Sequence, residues 1–374
     1  MTGRTPPHIL PTIVGAQFAG GSLWFAGNAV LPQLRAELGI DGDVASVTAA
    51  VQIGFILGTA FLAASGLADR FTGRAVFFVS VVVGAVANVA VLLAEDLWTL
   101  VALRFVVGVA LAGIYPVGMK IAAGWYEAGL GRALGFLVGA LVLGTAFPHL
   151  VGSALPWRWT LVAVSALAFV GGALLFAFVP DGPHVRASTF DLGAIPKLLR
   201  IPRFRGAALG YFGHMWELYT FWAFLPALLI RYGDLPVAEI SFAVIASGVV
   251  GCVGGGLLVE RLSGRRVAQV QLAASGVCCL LLAFAIELPP AAFVAFLFVW
   301  GVTVVGDSPQ YSAITARAAP PQLIGTGLAF VTSVGFALTV ASIAIVQRAD
   351  DLVFALTALA IGPVLGLVGL ARAR

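Results

Sequence analysis

The chain has 374 residues, 60% of them hydrophobic and only 10% charged, against roughly 45–50% apolar and about 25% charged in a soluble domain. So few charges cannot cover a water-facing surface, which excludes a soluble enzyme, and such high apolarity excludes disorder. The formal net charge of +4 comes from residues scattered through short segments, almost all of them arginine. Without a basic stripe, nucleic acid is excluded as a partner.

A helix crossing a hydrocarbon core of about 30 Å needs roughly 20 residues. Apolar runs of that length stand near 9–34, 44–66, 75–94, 97–121, 130–152 and 158–179, and again near 206–231, 237–259, 267–286, 290–314, 322–346 and 352–371. The first continues past residue 30, too long for the apolar core of a signal peptide, and reads as span 1. The fold class expected is an all-α polytopic membrane protein, twelve transmembrane helices in two pseudo-symmetric six-helix bundles. Between them, Pro180 to Arg205 holds four prolines and five basic residues. The expected organisation is a bundle at 1–180, a cytoplasmic linker at 181–204 and a second bundle at 205–374. With both termini inside, sixteen of the 21 lysines and arginines fall on the cytoplasmic side, a bias that fixes the orientation in an inner (plasma) membrane.

Several motifs carry little chemistry. Cys252, Cys278 and Cys279 lie in apolar runs without CxxC spacing or histidine neighbours, so neither a metal site nor a disulfide framework is expected. The glycine-rich run from Gly248 to Gly256 is a helix-packing surface; no Lys-Ser/Thr follows it, as a phosphate loop requires. No Walker motif is present, so ATP is not the direct energy source, and no cofactor is implied.

An internal repeat is the most specific signal. GLADRFTGR after span 2 aligns without a gap on LLVERLSGR after span 8 at an offset of 191, pairing Asp69 with Glu260, Arg70 with Arg261 and Arg74 with Arg265. Gly108, Gly113 and Pro116 of span 4 match Gly301, Gly306 and Pro309 of span 10 at an offset of 193. Leu31-Pro32 matches Leu225-Pro226 at an offset of 194. Two parallel six-span halves are a transporter architecture, with the substrate site near the midplane between them.

GLADRFTGRA resembles the loop 2–3 signature of the major facilitator superfamily, with one extra residue before Gly73 and Ala75 in the place of the final basic residue. Arg104 followed by Gly108 resembles that family's span-4 motif. Span 5 has Pro148-His149 and lacks the Gly-Pro pair of the family's proton-drug antiporters, while the run PVGMKIAAGWYEAGLGRALG, ending at Gly135, looks more like the nitrate/nitrite and cyanate permease-like branch. The resemblance implies that spans 1, 4, 7 and 10 line a central cavity. It also implies that Asp69, Arg70, Arg74, Glu260, Arg261 and Arg265 gate conformation, the two acids by capping the starts of spans 11 and 5.

Ionisable residues within spans are functional candidates by default. Arg104 lies in span 4, Glu217 in span 7 and Asp307 in span 10. His214, three residues before Glu217, shares its helix face, and Asp307, Gln310 and Tyr311 share another. In span 1, Gln17, Trp24, Asn28 and Arg35 form one stripe. The candidate substrate and proton cavity is therefore Asn28, Arg104, His214, Glu217, Asp307, Gln310 and Tyr311. Glu217 is expected to carry the proton with His214 as its tuning partner, and Arg104 to meet an anionic substrate. Span 10 is expected to hinge at Pro309, and span 4 equivalently at Pro116.

The function expected is secondary active transport of a small anion by alternating access, proton-coupled, by a monomer whose partners are a small-molecule substrate, protons and the lipid bilayer. No catalytic residue and no bound metal enter this reading. Export of cationic or lipophilic compounds, and a transporter-like sensor without turnover, are the alternatives.

Overall fold

A computed structural model describes residues 5–39, 43–126, 129–184, 191–259 and 261–372, except the side chains of Leu38, Ala68 and Asp69. The chain divides into two units, Met1–Ser188 and Thr189–Arg374.

Unit 1 consists of α1 (Ile9–Gly21), α2 (Ala26–Leu38), α3 (Val44–Ser65), the short α4 (Leu67–Arg70), α5 (Gly73–Ala90), α6 (Leu97–Trp125), α7 (Leu130–Ala154) and α8 (Trp157–Phe178). Unit 2 consists of α9 (Ile195–Arg200), α10 (Pro202–Tyr232), α11 (Val237–Leu258), α12 (Gly264–Ala285), α13 (Pro290–Gly306), α14 (Ser308–Ala318), α15 (Ile324–Gln347), α16 (Leu352–Ala358) and α17 (Ile361–Arg372). Span 1 is thus α1 and α2, span 10 is α13 and α14, and span 12 is α16 and α17.

Among the described residues eleven helical segments are long and apolar enough to cross a membrane. α10, read as span 7 of the expected twelve, is not one of them; it has 31 residues, about 46 Å at 1.5 Å per residue. Its length suffices, but Arg203, Arg205, His214, Glu217 and Arg231 lower its apolarity. Side chains such as Leu93, Trp98, Phe284 and Phe354 stand exposed on the helix flanks, as expected of helices apolar on every side with lipid as their solvent.

The two units repeat one packing pattern. In unit 1, α1 packs on α7 and α8, α6 on α3 and α5, and α5 on α8. In unit 2, α10 packs on α15 and α17, α13 on α11 and α12, and α12 on α16 and α17. Close backbone approach recurs at matched positions. Gly108 sits against the carbonyl of Val51 and Gly301 against that of Val244, where a Cβ has no room. Both pairs are related by the offset of 193.

The proline-rich stretch read as a linker is divided between the units. The Trp125 indole N–H donates to the Pro180 carbonyl at 2.9 Å and the His184 N–H to the Gly124 carbonyl at 2.9 Å, fastening 180–184 to unit 1. On the far side the Asp191 N–H donates to Thr326 Oγ1 at 3.0 Å, and Leu198 of α9 is fully buried in unit 2. The described parts of that stretch, 180–184 and 191–204, are thus each held to a unit.

Candidate functional site

Span 1 is interrupted at residues 22–25, just after Gly20-Gly21. An interruption frees backbone carbonyls, and a freed carbonyl away from water needs a donor. Arg104, fully buried on α6, supplies it. Its Nη2 donates to the carbonyls of Leu23 at 2.9 Å and Trp24 at 2.7 Å, and its Nη1 donates to Asn88 Oδ1 of α5 at 3.0 Å. Asn88 in turn donates to Ser165 Oγ of α8 at 3.0 Å. The guanidinium therefore ties α1–α2, α5 and α6 together, and only its Nε lacks a partner. The expected role of Arg104 in meeting an anionic substrate is corrected on this point: its Nη2 is engaged by the break and its Nη1 by Asn88. Gly27 lies so close that a Cβ there would meet Arg104 Nε at 2.7 Å.

The interruption also corrects the span-1 stripe. Gln17 sits on α1, while Asn28 and Arg35 sit on α2. Gln17 is fully buried beside Gly118 of α6, and Asn28, half-buried, donates to Thr48 Oγ1 of α3 at 2.6 Å. Arg35 is exposed. Gln52 of α3, also fully buried, has neither amide atom hydrogen-bonded.

Glu217 is fully buried on α10. Its Oε1 accepts from the indole N–H of Trp300 on α13 at 2.6 Å and from the Cys279 thiol at 3.3 Å, and its Oε2 accepts from the Ser275 hydroxyl at 3.0 Å, both of these on α12. Trp300 is itself held by stacking on Phe221, with centroids 4.2 Å apart. His214, the expected partner of Glu217, turns instead to Asp307: His214 Nδ1 lies 2.8 Å from Asp307 Oδ1, both side chains fully buried. Three residues along a helix place two side chains on one side, but the neighbouring helix decides which of them it meets.

Asp307 stands where span 10 is interrupted between α13 and α14, and its carbonyl accepts from the N–H groups of Gln310 at 2.9 Å and Tyr311 at 3.1 Å. Around it lie His214, Tyr211 and Tyr311, with ring centroids 5.7–6.1 Å apart. Gln310 and Tyr311 are buried, and Gln310 Nε2 and the Tyr311 hydroxyl have no hydrogen-bond partner. The expected symmetry of the hinges does not hold. α6 runs unbroken from Leu97 to Trp125 through Pro116, whereas span 10 divides at Asp307, two residues before Pro309. Proline alone does not divide the helix.

The arginines of the repeated loop take matched positions. Arg74, at the start of α5, lies 5.5 Å from the Phe176 ring and donates to the Phe176 carbonyl at 3.5 Å near the end of α8. Arg265, at the start of α12, donates to the Leu370 carbonyl near the end of α17. Phe176 and Leu370 are separated by the same offset of 194 that relates Leu31 to Leu225. Each arginine meets the negative end of a helix. Arg70 and Arg261 are exposed. Glu260 and the Asp69 side chain, expected to cap spans 5 and 11, lie outside the described residues.

Asn88, Gln52, Tyr211 and Ser275 are not among the residues singled out from the sequence, and Cys279 is read there only as a cysteine within an apolar run. Asn88 and Cys279 carried a usable signal: both are polar interruptions of apolar runs, and they align at the offset of 191.

Residues 13–343 match the family described as Major Facilitator Superfamily. The chain belongs to that superfamily. It is 28% identical to the niacin transporter NiaP of Acinetobacter baylyi over 261 residues, 58% of each chain. It is 29% identical to the multidrug transporter MdfA of Escherichia coli O6:H1 over 253 residues, 64% of this chain and 60% of that one. The probable sulfoacetate transporter SauU of Cupriavidus necator is 26% identical over 56% of this chain and 55% of its own. The chain thus spans under two thirds of the length of these superfamily relatives. The solved structure of FucP in the outward conformation, also of the superfamily, shares the fold over 99% of this chain and 100% of its own, with a TM-score of 0.74 at 14% identity.

Proposed function

We propose that the protein is a proton-coupled secondary transporter that moves a small solute by alternating access between its two units. It works as a monomer in the inner membrane with both termini cytoplasmic. The carrying observation is the fully buried His214–Asp307 pair at the interruption of span 10. Ionisable groups at such depth are retained for function, and an interrupted helix lining a cavity is where transporters place substrate and coupling ion.

The proton is carried by this pair and not by Glu217, whose oxygens already accept three hydrogen bonds. A proton taken up by the pair removes the negative charge that Asp307 otherwise holds there. A small anion then takes the place of that charge, so one proton and one anion cross together. Tyr311, Gln310 and Tyr211 provide the surrounding donors. Similarity to transporters of niacin and sulfoacetate, both anionic near neutral pH, favours the anion. Similarity to MdfA, named a multidrug transporter, favours a second reading in which Asp307 and Glu217 attract a cation for export.

The test is paired uptake in liposomes with nicotinate, sulfoacetate and a lipophilic cation. Asp307→Asn is expected to abolish accumulation driven by a pH gradient while counterflow persists. Accumulation against a gradient by Asp307→Asn, under a pH gradient alone, overturns the assignment. Counterflow of the cation but of neither anion selects the second reading.

A further inference from the structure

At one end of unit 2 the helices α10 and α17 border a groove of about 360 Å³. Gly206 and Gly369 line it, Gly369 packed against the Leu209 side chain, and its walls are apolar, Leu209 and Val368 among them, both substantially exposed. Arg205 and Arg372 also line it. Arg205 is steadied by donating to the Leu199 carbonyl at 3.4 Å. Arg265 binds the Leu370 carbonyl at this same end, so the groove opens in the arginine-rich end of the unit. An apolar slot bordered by guanidinium groups at a membrane edge matches one class of ligand in both parts, an acyl chain below and an anionic headgroup above.

We infer that this groove is a binding site for an anionic phospholipid, its acyl chain lying along Leu209, Leu365 and Val368 and its phosphate between Arg205 and Arg372. Neutral lipid fits the slot but leaves the arginines without a counter-charge. Free phosphate satisfies the arginines but leaves the slot to be filled by bulk lipid. A basic residue near a membrane surface contributes about 1 kcal/mol toward anionic lipid, so two arginines correspond to a preference of roughly thirtyfold. The site is independent of the substrate reading, since none of its residues belongs to the His214–Asp307 cluster.

The test is lipid retention by the purified full chain after equilibration with equal amounts of phosphatidylglycerol and phosphatidylcholine, read by native mass spectrometry. The wild type is expected to keep phosphatidylglycerol preferentially, and to lose that preference as salt shortens the reach of the charges. The double variant Arg205→Gln/Arg372→Gln should lose the preference about thirtyfold. Val368→Trp fills the slot with the arginines intact and should lower retention of both lipids. Equal retention of the two lipids by the wild type at low salt overturns the proposal even where a variant fails to fold. An unchanged preference in the folded double variant overturns it too. Displacement of phosphatidylglycerol by inorganic phosphate alone marks an ion site and likewise overturns it.

Discussion

The two units solve one packing problem with opposite charges. At the offset of 194, Leu23 of unit 1 and Glu217 of unit 2 occupy equivalent places, and at the offset of 191 Asn88 and Cys279 do. In unit 1 the acceptors facing the neighbouring helices are the backbone carbonyls of Leu23 and Trp24, released by breaking span 1, and a cation on α6 satisfies them. In unit 2 the acceptor is the Glu217 side chain, so α10 stays continuous, and neutral donors on α12 and α13 suffice. Where a side chain provides the acceptor, the backbone need not. The break appears instead in span 10, which frees Asp307 and His214 to pair in a cluster with no analogue among the equivalent residues of unit 1. A duplicated fold has thus kept its scaffold and moved its polar chemistry.

The largest effect is expected where the comparison rests on a buried cation. Arg104→Met leaves two carbonyls and the Asn88 amide oxygen without donors. At about 1–3 kcal/mol for each orphaned buried group, the loss is about 3–9 kcal/mol, enough to abolish transport through misfolding or a collapsed span 1. Lysine lacks the planar fork that reaches two helices at once and is expected to rescue poorly. Wild-type thermal stability in Arg104→Met would show that the span-1 break needs no cation.

Next comes the substitution that gives unit 2 the residue of unit 1. Glu217→Leu strands the Trp300 N–H, a cost of about 1–3 kcal/mol. Ser275 loses less, since its single hydroxyl hydrogen can turn to the Leu272 carbonyl at 3.2 Å. Glu217→Gln keeps a carbonyl oxygen for Trp300 and should cost under about 1 kcal/mol, with pH-driven accumulation retained. Thermal unfolding and uptake in the same preparations check both variants. Loss of accumulation in a stable Glu217→Gln would return the proton to Glu217.

Smaller again are the paired arginines. Arg74→Ala and Arg265→Ala each remove a cation from a helix C-terminus, worth about 0.3–1 kcal/mol. Hydrogen exchange in the last turns of α8 and α17 should rise to a similar extent in the two variants. A change confined to one would mean that the matched geometry carries unequal energy.

The scaffold was legible because it follows from length, apolarity and a repeat that survives as fixed offsets. The depth of Arg104, Glu217 and Asp307 was legible for the same reason. Their partners were not. His214 and Glu217 share a helix face in the sequence, yet each answers to a different neighbour, and neighbour identity is a property of packing. The break in span 1 was hidden because Gly20-Gly21 permits an interruption without requiring one. Pro116 and Pro309 looked equivalent, and what separates them is the residue two places earlier: Ile114 is apolar at the position equivalent to Asp307, whose carboxylate has a buried imidazole to meet.

The smallest expected effect lies in the loops and separates the units by pH. α6 begins after Asp96, whose Oδ1 accepts from the Thr99 N–H at 2.9 Å and whose Oδ2 accepts from the Thr99 hydroxyl at 2.8 Å. These bonds, the backbone one foremost, hold its carboxyl below the ordinary 3.8. The equivalent residue at the offset of 193 is Pro289, and α13 begins with Pro290, which removes a donor and so needs no carboxylate. A carboxyl lowered in the folded state contributes stability above its unfolded value and loses it as pH falls through the folded one. Between about pH 5 and 3 the Thr99 amide should therefore lose protection relative to its intrinsic exchange rate. The Phe293 amide, bonded to the Pro289 carbonyl at 3.0 Å, should not. Asp96→Asn keeps an uncharged acceptor and should flatten the pH dependence at Thr99. If Thr99 protection in the wild type is unchanged across that window, the cap does not depend on the charge, and the two helix starts are equivalent despite their different residues.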